Sequence, residues 1–78
     1  MPQPKREQII AQLNEINTHY NQCRSSCHSG YHHWWQLAAA DRCRRRCHGN
    51  FRSSVDQLQF VAGMIGLTIQ GGPGTAHL

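Results

Sequence analysis

The sequence predicts an all-α protein, an antiparallel two-helix hairpin clamped by two nested disulfides, and three observations predict it. All four cysteines fall within two stretches, CRSSCHSGYH beginning at Cys23 and CRRRCHGNFR beginning at Cys43, that share one pattern. Each stretch lies in a long run whose apolar residues recur at helical spacing. Between the runs is one short interruption with a Ser-Gly pair, two histidines and two tryptophans.

The first helix reads from Pro4 onward. Proline suits a first helical turn, Glu7 complements the positive helix end, and QIIAQLNEINTHYNQC contains neither glycine nor proline. Its large residues fall at Ile9, Leu13, Ile16, Tyr20, Cys23, Cys27 and Trp34, a seam of alternating four and three if Gly30 fills the gap. Glycine packs nothing at that position and loosens the helix. The turn is expected near Trp35 to Ala38, with Gly30 as an earlier alternative stop.

A second helix is expected from about Ala39 to about Leu67. Its apolar series is Cys43, Cys47, Phe51, Ser54 or Val55, Leu58, Val61 or Ala62, and Ile65, again near one face. The predicted organisation is an N-terminal extension over 1–4, the hairpin over 5–68 and a flexible Gly-rich tail over 69–78. Gly63 and Gly66 in the last arm suit a close approach by a partner helix.

In a helix, residues four apart sit on one face about 6 Å apart along the axis. Facing rows in an antiparallel hairpin then pair Cys27 with Cys43 and Cys23 with Cys47. The inner bridge closes a loop of about 15 residues, for which chain entropy gives about 3 kcal/mol. A chain of 78 residues with 38% apolar content needs such help, because a core of that size is marginal by itself. The rival is zinc, held by the four thiolates or by a mixture with His28 and His48. Seam positions on long helices fit zinc less well than Gly-rich knuckles with a spacing of two, so zinc stays the minority alternative and no other cofactor is expected.

Basic residues outnumber acidic ones eight to four, and the excess concentrates at Arg42, Arg44, Arg45 and Arg46. That block suits an anionic surface such as acidic lipid head groups, or it is a solvated helix face around the cysteines. No nucleic-acid module accompanies it, which leaves RNA a minor candidate. Trp34 and Trp35 read either as an anchor for a partner or as a cap on the hairpin's own core. Phe60, Val61 and Ile65 on the apolar C-terminal arm are the other expected partner-binding residues. The chain offers no nucleophile elbow, phosphate loop or paired carboxylates, so neither an enzyme nor a small-molecule substrate is expected.

No segment reaches the roughly 18 to 20 apolar residues that cross a bilayer, and the longest candidate, FVAGMIGLTI, is about half that. MPQPKREQII reads as neither a secretory signal nor a cleavable transit peptide. Paired cysteines without a signal ordinarily mean metal or redox chemistry in a reducing compartment.

The twin C-x3-C motif, its 15-residue separation and the aromatics Tyr31 and Phe51 four residues after each motif resemble the small Tim proteins of the mitochondrial intermembrane space. The resemblance covers roughly Leu13 to Leu58. It implies oxidative trapping in that compartment without a presequence, guided by a cysteine beside an apolar helical face, here Ile16 and Tyr20 before Cys23 or Tyr31 and Trp34 after Cys27. Chaperones of the family form alternating hexamers around hydrophobic precursors, and related hairpins are built into respiratory-chain and other inner-membrane complexes. The Trp34-Trp35 pair, the arginine block and the Gly-rich apolar arm depart from the chaperones. The expected function is therefore a structural or assembly accessory subunit of a mitochondrial inner-membrane complex, on its intermembrane-space side and bound to other protein subunits. A chaperone subunit is the runner-up, and a zinc or nucleic-acid-binding module is the third reading.

Overall fold

The computed structural model describes residues 5–78, and the expected 1–4 extension, with Pro4, lies outside the described residues. The first helix, α1, spans Arg6–Gly30. Its start is held by the Gln8 side chain, whose Oε1 accepts the Lys5 backbone N–H at 3.0 Å, while Glu7 sits in the positive first turn. The helix stops at Gly30: Tyr31 still donates its N–H to the Cys27 carbonyl, but its backbone (φ −133°, ψ 59°) has left the helix.

A 3-10 turn at Trp34–Gln36 follows, closed by the Gln36 N–H on the His33 carbonyl at 2.9 Å. The Gln36 side chain in turn accepts the His33 N–H. The second helix, α2, runs from Leu37 to Gly63. The turn thus comes earlier than the Trp35 to Ala38 expected from the seam. Two local preferences account for it: a glycine in a helix interior costs up to about 1 kcal/mol relative to alanine, and Leu-Ala-Ala-Ala forms helix readily.

The helices pack antiparallel as an all-α hairpin about 50 × 21 × 15 Å in extent, and no helix among the described residues is long and apolar enough to cross a membrane. The seams meet as the periodicity predicts. Ile9, Leu13, Tyr20 and Cys27 of α1 are buried against Cys47, Phe51, Leu58 and Ala62 of α2, with Ile16, Cys23, Cys43 and Val55 half-buried beside them. Each fully buried Ile or Leu contributes about 1.5–3 kcal/mol by leaving water. Tyr20 and Phe51 meet at 5.3 Å between ring centroids.

The C-terminal segment corrects two expectations. Helix α2 stops at Gly63, short of the expected Leu67, and the residue that closes it is Gly66. Its φ of +75° is easy only for glycine, and the flanking bonds from the Gly66 N–H to the Gly63 carbonyl and from the Leu67 N–H to the Ala62 carbonyl make a Schellman stop. Residues 69–78, expected to be a flexible tail, fold back onto the hairpin. Gln70 and His77 exchange both backbone hydrogen bonds, at 2.7 and 2.8 Å, and Ala76 is buried.

Two side-chain amides fasten this strap, one from each helix. Gln59 of α2 donates to the Leu67 carbonyl and accepts the Ile69 N–H. Asn17 of α1 donates to the Ala76 carbonyl at 2.9 Å and accepts the Ala76 N–H at 3.0 Å. The strap therefore crosses from α2 to α1 and satisfies its backbone as it goes. Gly74, at φ +81°, passes so close to α1 that a Cβ there would lie 2.7 Å from Asn21 Oδ1.

Candidate functional site

The cysteines form the clasp that their spacing predicts. Cys23 is bonded to Cys47 and Cys27 to Cys43, with Cα separations of 5.8 and 5.7 Å, and no cysteine is free. Both Cα distances fall in the range that a disulfide spans without moving backbone. The bridges are nested and adjacent: Cys27 Sγ lies 3.5 Å from Cys47 Sγ, and both residues are only 1% exposed. Sulfurs of Cys23, Cys27 and Cys47 thus cluster closely enough to suggest a metal site, but here they are consumed in covalent pairs and are not thiolate donors.

Beyond the clasp, the hairpin tip is apolar and bare. Trp34 is 78% and Trp35 64% exposed, and Leu37 is exposed beside them. Neither indole caps the core. They pack on one another and their neighbours instead: Trp34 and Trp35 meet edge-on at 5.8 Å, and Trp35 stacks on His33 with centroids 4.4 Å apart and planes 5° from parallel. His32 continues the stack against His33 and is tied by its Nδ1 to the Ser29 carbonyl. Tyr31, whose counterpart Phe51 is buried, is exposed because α1 ends before it.

Arg42, Arg44, Arg45 and Arg46 are all exposed on the first turns of α2 after the tip. Arg44 pairs with Asp41, the only ion pair among the described residues. Arg44 and Arg45 also line a shallow groove with Tyr20, Arg24, Asp41 and His48, so α1 contributes to a surface on which three arginines face one aspartate. Sequence reasoning passed over Arg24, although the signal was available: both copies of the motif begin Cys-Arg, and an antiparallel pair puts those equivalent arginines in one groove.

The third expected surface is divided. Phe60 is 74% exposed and Met64 is exposed near it, whereas Val61 and Ile65 are half-buried and pack against the hairpin's own core. Of the expected arm, Phe60 is the strongly exposed residue, joined by Met64, while Val61 and Ile65 share the core with Leu67, Ile69 and Leu78 of the returning strap. Away from the strap, a groove between the helices is lined by Glu15, Ile16, His19, Asn50, Phe51 and Ser54. Comparison with protein-family models, with curated proteins and with solved structures gives no match.

Proposed function

We propose that this chain is a non-catalytic, small-Tim-like accessory subunit that serves structure or assembly in a mitochondrial inner-membrane complex, on the intermembrane-space side. One observation carries the proposal: a covalently locked hairpin presents large apolar side chains, Trp34, Trp35 and Leu37 at one end and Phe60 and Met64 at the other, to solvent. Such side chains on a preorganised scaffold are typical anchors, because little conformational entropy is lost when a partner covers them. The compartment rests on the twin C-x3-C spacing, which suits oxidative trapping, and the disulfides suit an oxidising space.

Blue-native electrophoresis of mitochondria carrying the tagged full chain tests the proposal. Comigration with a large inner-membrane complex, lost when Phe60 and Met64 are replaced by serine, is the expected result. A soluble species of hexamer size would replace this reading with a chaperone subunit. A zinc-loaded protein of full reduced mass would replace it with a metal-binding module.

A further inference from the structure

The tip and the arginines behind it form one surface. Between Tyr20 and Asn50 lie five arginines and one aspartate, which is the whole net charge of +4; the remaining three basic and three acidic residues cancel. The rod is therefore electrically polar, neutral along its arms and positive toward the end where the tryptophans project.

From these observations we infer that the hairpin docks end-on to an anionic phospholipid bilayer, with Trp34, Trp35 and Leu37 as an apolar wedge and the arginines as a collar on the phosphates. Spacing along the rod fits this occupant. At 1.5 Å per residue, Arg42 to Arg46 lie about 8 to 14 Å behind Leu37. Amphipathic elements sink about 5–10 Å into the boundary between head groups and acyl chains. With the indoles at that boundary, the arginines stand at or just above phosphate level, where their long side chains reach the phosphates by snorkelling.

Tryptophan favours this interface because its ring is apolar and its N–H remains near water. The shape suits a membrane, since the apolar wedge is at the turn of a hairpin with cations on both helices behind it, Arg24 on α1 and the block on α2. The inference extends the placement of the subunit beside a membrane and rests on that reading for its biological setting. The two fail separately, because vesicle binding uses the purified oxidised chain and comigration uses the assembled complex.

The protein carries its own probe, for its two tryptophans are both at the tip. The oxidised chain is titrated with phosphatidylcholine vesicles with and without phosphatidylglycerol, while tryptophan emission and cosedimentation are followed. A blue shift and pelleting that require phosphatidylglycerol and weaken with salt are expected. Each arginine at an anionic surface tightens partitioning about fivefold, so R42Q/R45Q/R46Q weakens it on the order of 100-fold. W34A/W35A weakens it by about tenfold or more. Both variants change exposed side chains and keep the helical circular dichroism of the parent.

Several results overturn the inference: no pelleting with anionic vesicles, pelleting with unshifted emission, or equal binding by W34A/W35A. Equal insertion into phosphatidylcholine alone would remove the arginine collar. A tryptophan shift produced only by a solubilised protein complex would assign the tip to a protein partner instead.

Discussion

The two ends of the rod are stabilised by different means. At the tip end the buried residues are small, Cys27, Cys47 and Ala40, and covalent bonds do the holding. Toward the open end, Ile9, Leu13, Leu58 and Ala62 interlock and the strap closes over them without any crosslink. Covalent closure releases large side chains from core duty. The tip can leave both tryptophans in solvent because the disulfides, not indole burial, join the helices there, whereas the arm end is held by burying Ile9, Leu13 and Leu58 and leaves only Phe60 and Met64 of its large apolar residues strongly exposed.

The largest effect should come from breaking the covalent end. Reducing both bridges, or replacing all four cysteines by serine, removes a constraint of about 3 kcal/mol for the inner loop alone, comparable to the whole stability of so small a core. Loss of the helical circular dichroism signal at ambient temperature is expected; a reduced hairpin that melts like the oxidised one would show that the arms suffice. Next comes the non-covalent end. Leu13→Ala or Leu58→Ala should cost about 2–5 kcal/mol each, read as a lowered melting temperature. Hydrogen exchange should then rise in the arms while amides around Cys27 and Cys43 remain protected; a uniform rise would deny the two ends separate stability.

The strap should respond more modestly. Asn17→Ala removes two hydrogen bonds to Ala76, each worth about 1 kcal/mol, and Gly74→Ala forces a Cβ against Asn21 at a positive φ. Both should speed exchange of the Gln70 and His77 amides without altering the tip. The smallest effect belongs to Trp34→Ala and Trp35→Ala, whose exposure predicts a stability change within about 0.5 kcal/mol. A larger loss in thermal melts would mean that the indoles hold the turn.

Much of the hairpin was legible in the residues. Ile9, Leu13, Tyr20 and Cys27, and Cys47, Phe51, Leu58 and Ala62, recur at helical spacing and are the residues that meet in the core. Trp34 is placed on the seam only on the condition that the helix runs through Gly30, the weak point and alternative stop, and periodicity says which face a residue would take only if the helix continues. Val61 and Ile65 read both as the end of the helical seam and as part of a partner-binding arm, because nothing nearby announces the strap that packs beside them. Of the candidate surfaces, the arginine block was fully visible, while its partner Arg24 needed the repeat to be read as a three-dimensional symmetry.

By itself the sequence determined the helical hairpin and its cysteine pairing. A spacing of four matches one helical turn, and a short connection makes the helices antiparallel, so local geometry leaves one nested arrangement of facing thiols. Tertiary structure alone decided the fate of the C-terminal segment. Asn17 and Ala76 are 59 residues apart, and an asparagine on a helix flank looks like any solvated polar residue until a returning backbone supplies the N–H and the carbonyl that it clips.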